Sequence, residues 1–261
     1  MPKTSLVTRD LLHARDLVLV LLVKELKVRY KNTILGYAWS ILNPLLFALV
    51  LFFVFKVIIR IQVENYLLFL VTGLFPWQWF QNSINAANGY FLGNASLLKR
   101  VYFPRSVLVL TAILNDMVHF LASLAVIVAM MAYYGVWPRV SWCWLLPLLL
   151  ATQFMLTFGL AMVVATANLF FRDLERLTGI LTMLWFYLTP VTFAASMIPE
   201  RFSWSIYINP MAGLVLCWRD VFLTGTMRWD YFGSAAGASL IALAAGLAVY
   251  QWKKWRFAEI V

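Results

Sequence analysis

Asn115, Asp116 and His119 stand within the apolar stretch from Ser106 to Pro138. Asn115 and His119 are spaced i, i+4 and Asp116 and His119 i, i+3, so on a helix all three reach similar faces. An ionisable residue in an apolar span is a functional candidate by default. Two chemistries suit the trio: a proton relay, or hydrogen bonds from one helix to another. A relay wants further carboxylates, and the apolar stretches add only Lys56 to this set, which favours hydrogen bonding. There is no H-E-x-x-H, no metal-ligand cluster, no G-x-S-x-G and no G-x-x-x-x-G-K-[ST] phosphate loop, so the chain is expected to bind no cofactor and to hydrolyse no ATP by itself. Aromatic residues are plentiful at 16%, gathered as Phe75, Trp77, Trp79 and Phe80, as Trp185, Phe186 and Tyr187, and as Phe202, Trp204 and Tyr207. Aromatic faces suit the C–H faces of sugar rings; the same residues also form the belts at both bilayer interfaces of membrane proteins.

The elements that must position these groups follow from composition. Of 261 residues, 63% are hydrophobic and 12% charged, with a mean hydropathy of +0.82; a typical soluble domain carries about 25% charged residues. A formal charge of +10 could point to nucleic acid, but the basic residues do not lie on an otherwise polar domain, and a membrane is the simpler partner. Six stretches are long enough to span: Thr33 to Ile59, Asn65 to Leu98, Ser106 to Pro138, Val140 to Phe171, Leu177 to Pro199 and Tyr231 to Trp252. Lipid offers no partner to open sheet edges, so an all-α bundle of six transmembrane helices is expected. With six spans, fifteen Lys and Arg fall on the face that holds both termini and six on the other, which places both termini in the cytoplasm. No cleavable signal pattern is visible. Cys143 and Cys217 both fall near the outer face, either as a disulfide or as two unpaired thiols.

Three connecting segments carry more than linkage. Residues 10–31 have charged ends around seven apolar residues, which suits a helix lying in the inner interface, with Lys24, Lys27 and Lys31 on one face toward lipid phosphates. "KVRYKNTILGYAWSILNPL", residues 27–45, then leads into the first span, marked by Trp39 and Asn43-Pro44. The second connection breaks at Gly93-Asn94 and stops at Pro104, implying a short protruding cytoplasmic helix. "NLFFRDLERL" makes a tight hairpin of the fourth and fifth spans. Residues 196–230 form a long apolar connection split by Asn209-Pro210 into two pieces too short to cross, read as re-entrant or interfacial helices on the outer face.

The order and spacing of "RDLVLVLLVKELKVRYKNTILGYAWSILNPL", "GLFPWQWFQNSI", "NASLLKRVYFPRSVL", "ANLFFRDLERL", "YLTPV" and "YINPMAGLVLCWRDV" resemble the permease subunits of polysaccharide ABC exporters. The likeness is greatest to O-antigen permeases, with capsule and teichoic-acid permeases as relatives. It implies a single permease domain of the bacterial inner membrane, working as a homodimer with two copies of a separate nucleotide-binding subunit that carries ATP and Mg. It further implies an interfacial helix at 10–31, a coupling helix at 94–102 using Ser96, Leu97, Leu98, Lys99, Arg100 and Tyr102, and outer gate helices at 198–223 with Asn209, Pro210 and Arg219. Arg29, Lys31, Arg100 and Arg105 would attract a lipid-linked diphosphate, and Trp39, Trp77, Trp79, Phe80, Trp185, Tyr187, Trp204 and Tyr207 would line the glycan path. Other readings are a capsule, teichoic-acid, drug or lipid exporter, a passive channel, and a membrane-embedded glycosyl- or phosphotransferase, the last short of the carboxylates it would need.

Overall fold

The computed structural model describes residues 15–27, 35–94 and 103–257, and every regular element in them is helical. Helix α1 covers residues 15–27. A 3-10 turn, Gly36–Ala38, leads into α2, Trp39–Phe52, which runs on as a π-helical turn through Phe53–Ile58. Then follow α3 (Tyr66–Ala87), α4 (Ser106–Tyr133), α5 (Trp142–Phe170), α6 (Leu174–Tyr187), α7 (Trp204–Ile208), α8 (Pro210–Thr224) and α9 (Trp229–Lys253). Such continuous helices are what an apolar chain in lipid must form, because each helix satisfies its own backbone.

Among the described residues, four helical stretches are long and apolar enough to cross a membrane: Trp39–Ile58, Ser106–Tyr133, Trp142–Phe170 and Trp229–Arg256. Counting the pair Glu200–Ile208 and Pro210–Thr224, bent by 95°, as one broken span gives up to five. Two of the six expected spans are of a different kind. Helix α3 has the length, at 22 residues, but Gln78, Gln81, Asn82, Ser83 and Asn85 make its second half polar, and it ends at Ala87 instead of reaching Leu98. Helix α6 stops after 14 residues at Tyr187 instead of running to Pro199. Pro190 has no N–H and disfavours the helical conformation at Thr189, so the chain beyond that point leaves the helix.

Helix α3 is the centre of the bundle. It touches α2, α4, α5, α6 and α8, and its buried residues point in all directions, from Tyr66 through Trp77 to Ala87. By contrast, α2 and α6 leave Phe47, Leu49, Val50, Leu181 and Leu184 exposed, faces that lipid or another protein must cover. Lys56, the lone charge of the first apolar stretch, folds back to donate to the carbonyls of Ile61 and Val63 at 3.3 and 3.0 Å, closing the turn after α2.

The closest helix pair is α5 with α9, and small residues make it possible. A Cβ added at Gly246 would run into the Gly159 backbone, and one at Gly159 into the backbone of Ala242 and Leu243. A side chain at either position must push the two helices apart, an overpacking cost of about 1–3 kcal/mol or more. Gly246→Leu is therefore expected to lower the melting temperature and the yield of monodisperse protein in detergent. Gly237→Leu, which meets open space on the same helix, is the comparison expected to leave both unchanged.

Candidate functional site

Helices α2, α3 and α4 border a half-open cavity of ≈100 Å³. Trp39, Ser40, Asn43 and Pro44 come from α2, Phe75, Gln78, Trp79 and Asn82 from α3, and Asp116, His119, Phe120 and Ser123 from α4. Helical spacing gathers each quartet: 75, 78, 79 and 82 share one face of α3, and 116, 119, 120 and 123 one face of α4. The Asp116 carboxylate accepts the Ser83 hydroxyl at 2.9 Å, while the Ser83 carbonyl accepts from Tyr90 Oη at 3.2 Å. The expected helix-to-helix hydrogen bond is thus present between α4 and α3. Asp116 and His119 line the cavity and Asn115 does not. Trp79 stacks on Phe120 at 5.3 Å, and its buried Nε1 has no acceptor among the described residues.

The structure separates the aromatic residues expected along one path. Trp77 and Phe80 are fully buried in the core of this chain. The Trp77 ring lies 5.5 Å from Phe80 and 5.6 Å from Phe186, and its Nε1 donates to Gln81 Oε1 at 2.9 Å; Phe80 meets the edge of Trp185 at 5.1 Å. Packing at the centre of a helix bundle, which spacing alone does not reveal, consumes these rings. Trp39 and Trp79 reach the α2–α3–α4 cavity, whereas Tyr187, Trp204 and Tyr207 are exposed elsewhere.

A second polar cluster ties the bent pair α7–α8 to the irregular chain beyond α6. Asn209 caps α8: its Oδ1 accepts from Met211 N and Ala212 N at 3.1 and 3.2 Å, with Pro210 set at the first helical position. The same oxygen accepts Trp185 Nε1 at 2.7 Å, and Asn209 Nδ2 donates to the Leu188 carbonyl and to Thr189 Oγ1. Ten residues further along α8, Arg219 is 5% exposed. Its guanidinium donates to three backbone carbonyls, of Phe69 at 3.2 Å, Pro190 at 3.0 Å and Val191 at 2.9 Å, and lies 3.6 Å from the Phe69 ring centroid. Gly73 leaves room for it, since a Cβ there would stand 2.6 Å from Arg219 Nη2. Tyr66 Oη completes the clasp by donating to the Thr192 carbonyl at 2.7 Å. Further out, Tyr207 donates to Asp230 at 3.1 Å, and that bond to a carboxylate raises the phenol's pKa.

Of the basic residues expected to meet a diphosphate, Arg105 donates from Nη1 to the Lys254 carbonyl at 3.1 Å and sits 5.4 Å from the Phe257 ring centroid. Arg29, Lys31 and Arg100 lie outside the described residues, as do Ser96, Leu97, Leu98, Lys99 and Tyr102 of the expected coupling helix. The expected interfacial helix is described over 15–27, where Leu21 is buried and Lys24 and Lys27 are exposed. Both cysteines are free. Tyr66, Gly73, Gln153 and Trp218 had no signal of their own in the sequence; a search for partners of the lone Arg219 in an apolar run would have led to the first two. Gln153 donates to the Pro76 carbonyl at 2.7 Å and accepts Trp218 Nε1 at 2.6 Å, joining α3, α5 and α8.

These helices, with a buried polar cluster behind a bent helix pair, define a membrane-embedded transport domain, and the sequence of residues 16–223 matches the family described as ABC-2 type transporter. The chain belongs to that family. It is 46% identical over 246 residues to "O-antigen export system permease protein RfbA" of Klebsiella pneumoniae, covering 94% of this chain and 95% of that one. A protein of the same description from Myxococcus xanthus is 31% identical over 257 residues, 97% of this chain and 98% of its own. "Polysialic acid transport protein KpsM" of Escherichia coli is 23% identical over 239 residues, 90% and 92% of the two chains.

Removing the buried guanidinium strands three carbonyls, and a hydrogen bond to a charged group is worth about 1.5–3 kcal/mol. Arg219→Met is therefore expected to destabilise the protein by at least about 3 kcal/mol, read as loss of thermal stability in detergent. Arg219→Lys, a point charge without the planar fork, should fall between it and the parent.

Proposed function

We propose that this chain is the membrane-spanning permease subunit of an ATP-driven exporter that carries lipid-linked polysaccharide, O-antigen first among the candidates, across the bacterial inner membrane. The observation that carries the reading is the 46% identity to an O-antigen export permease over nearly the full length of both chains. Likeness to "Capsule polysaccharide export inner-membrane protein CtrC" of Neisseria meningitidis, 26% identical over 265 residues, supports a capsule polysaccharide as the second cargo. On this reading the chain contributes six spans, with α3 and the short α6 completing the set. It works as a homodimer with two copies of a nucleotide-binding subunit, and both termini are cytoplasmic. ATP and Mg belong to that partner, and the lack of a phosphate loop in this chain is in keeping with such a division. Catalysis by the permease itself forms no part of the proposal.

The proposed cycle begins at the inner interface. An anionic diphosphate on the lipid carrier is drawn to Arg29, Lys31, Arg100 and Arg105, each contributing about 1 kcal/mol at a membrane surface. Nucleotide-driven closure of the partner subunits then pushes residues 94–102 and moves the two permease halves as rigid bodies. The bent pair α7–α8 serves as the outer gate, with Asn209 and Arg219 holding it to the chain beyond α6.

The coupling assignment has a direct test. Replacing Leu97, Leu98 and Tyr102 together by Asp is expected to abolish co-purification with the nucleotide-binding subunit and to remove surface polysaccharide from complemented deletion cells. Normal co-purification and export in the triple variant would overturn it.

A further inference from the structure

Helix α6 is attached to the rest of the bundle along one narrow stripe. Of its residues only Thr178, Thr182 and Phe186 are buried, at i, i+4 and i+8, whereas Leu177, Ile180, Leu181 and Leu184 are each more than half exposed. Phe186 anchors the far end, its ring 5.6 Å from that of Trp77 and 6.3 Å from that of Phe47, and the neighbouring Trp185 donates to Asn209 at 2.7 Å. The near end joins α5 through Phe171, Arg172 and Asp173, all exposed. Between these ends the buried stripe consists of the two threonines.

Both threonines have a choice of acceptor. Thr182 Oγ1 stands 3.0 Å from Asn85 Oδ1 on α3 and 2.9 Å from the Thr178 carbonyl of its own helix. Thr178 Oγ1 stands 3.4 Å from Asn88 Oδ1, at the end of α3, and 2.7 Å from the Leu174 carbonyl. A hydroxyl donates one hydrogen and can rotate it to suit, so turning the O–H alone transfers the bond from α3 to α6 and back. When the two helices part, neither hydroxyl is left without an acceptor, and Asn85 is exposed already. A seam of Leu and Phe would lose packing at every position on opening; this one gives up little more than two methyl contacts. In lipid, moreover, no hydrophobic force holds one helix to another.

We propose that α6 is a hinged element that parts from α3 along the Thr178–Thr182 seam and turns about its Phe186 end. Bonds inside α6 replace those to α3, so the closed and open positions differ little in energy, and a push from a bound partner subunit selects between them. The separation is a property of this chain, and its use in a transport cycle rests on the exporter reading.

The test uses the full permease with its nucleotide-binding partner in nanodiscs, with Cys143→Ser removing the exposed thiol and a maleimide as the probe. Thr182→Cys is expected to label slowly at rest and roughly tenfold faster with a non-hydrolysable ATP analogue, because labelling reports opening of the seam. Thr111→Cys, as deeply buried on α4, should stay protected in both states. In the Thr182→Cys background, Thr178→Val should raise resting labelling several-fold, and Thr178→Ser, which keeps the hydroxyl, should leave it unchanged. Thr178→Cys carries the nucleotide measurement if Thr182→Cys does not fold. In complemented deletion cells, tying Asn85→Cys to Thr182→Cys with a short bifunctional thiosulfonate should halt the appearance of new surface polysaccharide until a reductant cuts the link. Equal labelling of Thr182→Cys with and without the nucleotide, no effect of Thr178→Val, or export that continues through the link overturns the hinge. If the parent chain itself fails to restore surface polysaccharide, the exporter reading falls instead, and the effect of Thr178→Val on labelling of the permease alone still decides the hinge.

Discussion

A backbone group without a partner is costly in hydrocarbon, and that cost explains why an apolar protein keeps Arg219. After α6 ends at Tyr187 the chain leaves the helix, and its carbonyls lose their regular donors. Non-helical backbone at membrane depth persists only where protein or a cavity supplies the missing bonds. Here Arg219 serves Pro190 and Val191, Asn209 serves Leu188, and Tyr66 serves Thr192. A guanidinium with five donors in a rigid fork can reach three carbonyls at once, more than the two N–H groups of a side-chain amide allow. The bent pair α7–α8 is held in place by the same bonds, so the break in α6 and the placement of α8 form one structural unit.

Helix α3 joins this unit to the α2–α4 cavity. Its first half offers the Phe69 carbonyl, the Phe69 ring and the empty side of Gly73 to Arg219. Its second half carries Gln78, Trp79, Asn82 and Ser83. A helix that met lipid could not hold so many amides, but one touching five neighbours can, because each polar group faces protein or an internal space. The same enclosure is why its mean character falls short of a simple spanning helix, and why Trp77 and Phe80 are spent on packing.

The all-helical class, the α2, α4, α5 and α9 spans and the break at Asn209-Pro210 were all legible in the sequence, because apolar length and Pro-flanked polar pairs are local signals. The end of α6 was legible only in hindsight: Thr189-Pro190 was present, but the surrounding residues were apolar enough to read as a continuing span. Asp116 and His119 were found by their type, and Ser83, the partner of Asp116, was not, since a serine 33 residues away leaves no local trace. Lys56 showed in the sequence only as a charge in an apolar stretch; it closes a turn by bonding to Ile61 and Val63. The aromatic clusters were the least legible part. A ring that packs against a neighbouring helix and a ring that lines a cavity look alike along the chain, and only the neighbours decide between them.

The distribution of charge follows the cost of burial. Lys24, Lys27, Arg105, Lys253, Lys254 and Arg256 sit at helix ends, where a strongly hydrated cation stays in contact with water and headgroups. The cavity among α2, α3 and α4 has amides and rings in their place. A fixed cation there would be expensive to bury and, once paired with a phosphate, slow to release it. Cations at the helix ends, and no Lys or Arg lining this cavity, thus follow from the cost of burial.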